Sequence, residues 1–242
     1  MTAVRAVPKV RGMNTSLHIT RAVIGATLAL GALAGQAATM TLSGWAHGNG
    51  NNVQTSAPVY NGAAGGFAGT LSGSVDLDGN IRTYCVELSQ VFHWNVGYSV
   101  NVVDATTHFG TASGKAGRLG QLLSYVQDQD LFALAAAGSQ DNLSTSLQLA
   151  VWNIVYDTDA TLAGGSFADA SSFAAAASAL LAASQNWTNA LDLWVLASST
   201  AQDQLVWRTS PGNTGQDVPE PASLALVSLA LGGLALSRRR RA

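Results

Sequence analysis

The chain has 242 residues, of which only 11% are charged, and a formal net charge of −2. That balance hides a segregation. Residues 1–37 carry four basic residues and no acid, residues 238–241 are all arginine, and residues 38–218 hold four basic residues (Arg82, Lys115, Arg118, Arg208) against thirteen acids, a net −9. Such a body repels nucleic acid, because binding there rests on neutralised phosphates. The single cysteine, Cys85, excludes an internal disulfide and a multi-cysteine zinc site.

In chain order, residues 1–38 read as a secretory signal: basic residues first, then an apolar run over 22–34, then small residues up to Ala37 and Ala38. A domain over 39–210 follows. Residues 39–45 alternate as a strand, 48–52 form a turn cluster, 67–77 and 81–88 make two strands at hairpin distance, and 97–103 is a further β-branched strand. The period then changes. Residues 115–127 place Leu119, Leu122, Leu123 and Val126 on one helical face, and 131–137 make a short helix. Residues 144–156 form a helix capped by Asp141 or Ser144, and 169–184 an alanine-rich helix capped near Asp169. Residues 191–197 and 204–209 return to strand. Strands, then helices, then strands give an α+β fold, with the last strands completing an antiparallel or barrel-like sheet begun by the first.

Residues 211–217 are a linker, and 218–242 form a tail of three parts. Val218-Pro219-Glu220-Pro221 comes first, then the apolar run 222–236, then Arg238, Arg239, Arg240 and Arg241. As a helix the run reaches about 22 Å, short of the ~30 Å hydrocarbon core, which suits a temporary stop in the membrane better than a lasting tether. The arginines stay cytoplasmic and leave the body outside. The tail resembles the PEP-CTERM sorting signal. The resemblance implies a Gram-negative bacterium, transient residence in the inner membrane, recognition and cutting by an exosortase, and delivery to the cell surface or extracellular matrix, often beside exopolysaccharide.

Two stretches of the body carry candidate chemistry. Cys85 lies in Thr83-Tyr84-Cys85-Val86-Glu87-Leu88 on a strand, with Thr83 and Glu87 on its own face. Gln148 lies in the first turns of the 144–156 helix, with Trp152 one turn later on the same side. Alone, a strand cysteine reads as a small buried hydrophobe. Together, Tyr84-Cys85 and Gln148-Leu149-Ala150-Val151-Trp152 resemble the Cys–Gln thioester domains of bacterial surface proteins. Leu147 stands where that family has threonine before the glutamine. The resemblance implies an internal thioester between Cys85 and Gln148, apolar cover from Tyr84, Trp152 and Phe92, and covalent attachment to an amine- or hydroxyl-bearing surface protein or exopolysaccharide. The alternative is a non-reactive matrix protein with a free buried cysteine. Hydrolase, P-loop and dinucleotide motifs are absent from the sequence, so no turnover enzyme is expected. His47, His93 and His108 share no metal-ligand spacing, and no metal or other cofactor is expected. His93, between Phe92 and Trp94, reads as an ordinary turn or strand residue, with a proton shuttle as the functional alternative.

Overall fold

The structure, a computed structural model, describes residues 37–56, 58–135 and 139–210. Most of the expected leader, the 211–217 linker and the tail with Val218, Pro219, Glu220, Pro221 and the four arginines lie outside the described residues. Ala37 and Ala38, placed at the end of the leader by the sequence, form the first two positions of a strand.

The strands are β1 (Ala37–Trp45), β2 (Asn51–Ser56), β3 (Val59–Ala64), β4 (Phe67–Ser72), β5 (Gly79–Cys85), β6 (Gly97–Asp104), β7 (Leu191–Ala197) and β8 (Gln204–Thr209). The helices are α1 (Ala105–Phe109), α2 (Lys115–Asp128), α3 (Leu131–Leu134), α4 (Gln140–Tyr156) and α5 (Ala174–Ser184). Six strands close into an antiparallel barrel in the order β1-β4-β5-β8-β7-β6. The first strand joins both halves: Met40 pairs with Leu71 of β4 and with Tyr98 of β6. Alternation explains its place, because Ala38, Met40 and Leu42 are buried while Ala37, Thr39 and Ser43 face outward. Closure removes the exposed edges that a six-stranded open sheet presents. The α+β class and the return of the last strands to the first sheet are as the sequence pattern indicates.

The helices fill the stretch between β6 and β7. Leu119, Leu122, Leu123 and Val126 of α2 are buried on one face, as their spacing requires. Helix α4 is different: every residue from Ser144 to Val155 is buried. It packs against α2, α5, β5 and a separate β2–β3 hairpin, so it is the hub of the fold rather than an amphipathic surface helix. Burying each of its Leu, Val and Ile side chains contributes about 1.5–3 kcal/mol.

Four local expectations are corrected. The strand expected over 67–77 stops at Ser72, because Gly73 turns the chain at φ +90° and the Asp78 carboxylate accepts from the N–H groups of Gly73 (3.0 Å) and Ser74 (2.6 Å). The strand expected over 81–88 ends at Cys85, so Glu87 and Leu88 are not on it. Helix α4 begins at Gln140, which puts Asp141 and Ser144 inside it rather than at its cap. Ser144 Oγ instead accepts from Gly66 N (2.8 Å), and Thr145 Oγ1 donates to the Ala64 carbonyl (2.9 Å), so this turn of α4 fastens the end of the hairpin. Helix α5 begins at Ala174; Asp169 bridges to Thr55 of β2, and its carboxylate accepts from Ser171 N at 2.8 Å. The β2–β3 hairpin was not foreseen, because its Asn-rich start reads as turn and its alternation is weak.

Candidate functional site

Cys85 and Gln148, 63 positions apart, are brought together. Cys85 is the last residue of β5 and pairs with Gln204 on β8. On its other side the ladder with β4 ends at the pair Thr83–Phe67, because the chain before Phe67 turns away at Gly65 and Gly66. Cys85 therefore has main-chain groups with no strand to meet. The Gln148 side chain meets them: its Oε1 accepts from Cys85 N (2.9 Å) and its Nε2 donates to Cys85 O (2.8 Å). The carboxamide has the donor and acceptor of a peptide unit and continues the ladder in place of a strand. Gln148 is thus mid-helix and fully buried, not in the first turns of its helix.

Leu147, at the position of the expected threonine, is buried and lines a cavity with Tyr84 and Leu123. Ser146 Oγ donates to Asn142 O (2.9 Å), back along its own helix. The main chain of Cys85, rather than a neighbouring hydroxyl, orients the Gln148 amide.

The Cys85 thiol is 1% exposed. Its Sγ donates to the Glu87 carbonyl (2.6 Å), and Glu87 N donates back to the sulfur at 3.4 Å. Burial pushes the thiol pKa up to about 12; the bond to Glu87 opposes the shift, and the Glu87 and Asp203 carboxylates add to it. Trp152 is 2% exposed and its Nε1 has no hydrogen-bond partner among the described residues. Its ring packs edge-on against Tyr60 (5.2 Å) and beside Phe167 (6.3 Å), and Phe167 stacks on Tyr156 at 6.3 Å. Burial also raises the pKa of Tyr60 and Tyr156, with the nearby Cys85 contributing to both. These aromatic rings gather on the Trp152 side of the sulfur.

Of the three residues expected as cover, Trp152 is buried one turn after Gln148 on α4. Tyr84 points the other way along β5 and stacks on Trp207 (6.0 Å). Phe92 joins a separate cluster with Phe67 (4.9 Å) and Trp94 (4.9 Å). Tyr60, Tyr156 and Phe167 were missed. They come from the hairpin, the end of α4 and the loop before α5, and no spacing relates them to Cys85.

An acidic pair edges the site. Asp203 N donates to Glu87 Oε2 (3.4 Å), and the Asp203 carboxylate accepts from Ser198 N (2.7 Å) and lies 3.8 Å from His108 Nε2. Burial raises the Asp203 pKa, and the Glu87 charge adds to it. His93 is exposed on the far loop and contributes its main-chain N–H to Tyr98 Oη (2.8 Å). No group of three or more metal-ligating side chains occurs among the described residues. No helix among them is long and apolar enough to cross a membrane; the apolar run 222–236 lies outside them.

No curated protein matches this chain. Among solved structures, the N-terminal domain of the Streptococcus pyogenes pilus tip adhesin Cpa covers 74% of this chain and 97% of its own, at 12% identity and a TM-score of 0.45. Residues 217–241 match the PEP-CTERM protein-sorting motif, which marks this chain for exosortase-dependent processing and an extracellular or cell-surface destination in a bacterium.

Proposed function

We propose that the exported domain is a covalent attachment module, in which Cys85 and Gln148 form an internal thioester on the surface or in the matrix of a Gram-negative cell. The observation that carries this reading is the two-point contact between the Gln148 carboxamide and the main chain of Cys85, with both residues buried. The sulfur attacks the carboxamide carbon, the S–C bond forms, the C–N bond breaks, and the thiol proton leaves with the nitrogen as ammonia. This is self-modification, not turnover, and needs no cofactor. A partner amine or hydroxyl then attacks the same carbon, giving an amide or ester at the residue 148 side chain and returning Cys85 as a free thiol. Partner proteins and exopolysaccharide both offer such groups. Trp152, Tyr60 and Phe167 hold back the water that competes with the partner.

A second reading has its own support. The Gln148 amide already satisfies two buried main-chain groups, and burial keeps the thiol protonated. In that case the pair is a structural latch in a non-reactive matrix protein. Methylamine separates the two. Incubation of the secreted protein with methylamine is expected to yield an N-methylamide at residue 148 and one newly alkylatable thiol; a protein that takes up no methylamine and shows its thiol on denaturation alone is the latch.

A further inference from the structure

A cavity of about 360 Å³ opens on the other flank of β5, between β5, β8 and the end of α2. Its volume falls in the range of small-molecule sites. Two of the four basic residues of the acidic body, Arg82 and Arg208, line it from neighbouring strands. Both are exposed, and among the described residues neither makes an ion pair; the one pairing there is His108 with Asp203. Trp207 and Tyr84 form a stacked aromatic wall, with rings 21° from parallel. His47, stacked on Phe132 at 3.6 Å, lines the same cavity, and burial with the nearby Arg82 charge keeps it neutral. Asn80, Gln127 and Asp130 add planar polar side chains to the lining.

We infer that this cavity is a binding site for an acidic sugar, a pyranose ring bearing a single carboxylate. The guanidinium groups are the natural partners of the carboxylate, and the apolar face of a pyranose lies against an aromatic ring. The planar amides, the Asp130 carboxylate and the neutral imidazole bond to ring hydroxyls. The mixture discriminates between anions. Asp130 opposes a phosphate dianion, and an aromatic acid without hydroxyls leaves the polar lining unpaired. Cys85 and Gln148 are not among the lining residues, so the inference stands apart from the thioester reading.

Titration of the purified secreted protein with a galacturonate trisaccharide, followed by tryptophan fluorescence and calorimetry, tests it. Saturable binding is expected that weakens with salt, falls about tenfold in either Arg82→Gln or Arg208→Gln, and is unchanged in Cys85→Ala. Both arginines are exposed, so the variants are expected to melt like the parent; Trp207→Leu gives a second, uncharged probe of the wall. Equal binding of a neutral trisaccharide, equal competition by inorganic phosphate, full binding by the double arginine variant, or no saturation at millimolar ligand each overturns the inference.

Discussion

Replacing Gln148 by leucine in a Cys85→Ala background isolates what the glutamine amide does as a ladder partner. Without the sulfur no thioester forms, and leucine keeps much of the side-chain volume. The substitution removes an acceptor 2.9 Å from the N–H of residue 85 and a donor 2.8 Å from its carbonyl, at a site where residue 148 is fully buried. Each orphaned main-chain group costs about 1–3 kcal/mol, so the pair costs about 2–6 kcal/mol. Against the roughly 5–15 kcal/mol of a typical domain, that is a large part of the whole. Urea unfolding followed by tryptophan fluorescence gives the difference, with an unchanged slope showing that the native state stays compact. A cost below about 1 kcal/mol refutes the claim that the carboxamide stands in for a strand.

Other outcomes follow from single contacts. Gly66→Ala brings a methyl within 2.8 Å of the Tyr84 ring, and overpacking of this kind costs about 1–3 kcal/mol, read in the same unfolding assay. Ser144→Ala leaves Gly66 N without its acceptor and loosens the end of the hairpin, seen as faster amide exchange at Gly66. If Cys85 carries a free thiol, its folded pKa of about 12 lies above its unfolded value near 9; the unfolded chain then loses its proton first, and stability falls as pH rises from 9 towards 12. A denaturation series over that range on protein reduced and shown free of thioester checks this against Cys85→Ala, which lacks the slope. His47 has the opposite sense. Its pKa is lowered from 6.5 to about 4, so its contribution is present above pH 6.5 and is lost as pH falls to 4; His47→Gln flattens that limb of the stability profile.

Much of this architecture was legible in the sequence, for physical reasons. Strand β1 and helix α2 show their periods plainly, because each has one buried and one solvated face. The period of α4 was legible too, but its length and role were not: Ser144 read as a candidate cap, whereas Ser144, Thr145 and Ser146 bond the hairpin and their own helix in a fully buried segment. Cys85 and Gln148 were picked out by the residues beside them, and the fold brings them together. The mode of contact was hidden, since it depends on the β4 ladder ending at Thr83, two residues before Cys85. Tyr60, Tyr156 and Phe167 were hidden for the same reason, being neighbours through topology alone. The arginine-lined cavity was equally out of reach, because Arg82 and Arg208 lie 126 positions apart and come to line one cavity only when β8 closes the barrel on β5.

Intact-mass spectrometry of the secreted protein tests the central claim most directly. A formed bond leaves the mature chain lighter than its sequence by one ammonia, with a proteolytic fragment joining residues 85 and 148 through sulfur, and Cys85→Ala removes the deficit. A mature chain at its full sequence mass, with one thiol that alkylates on denaturation, contradicts it.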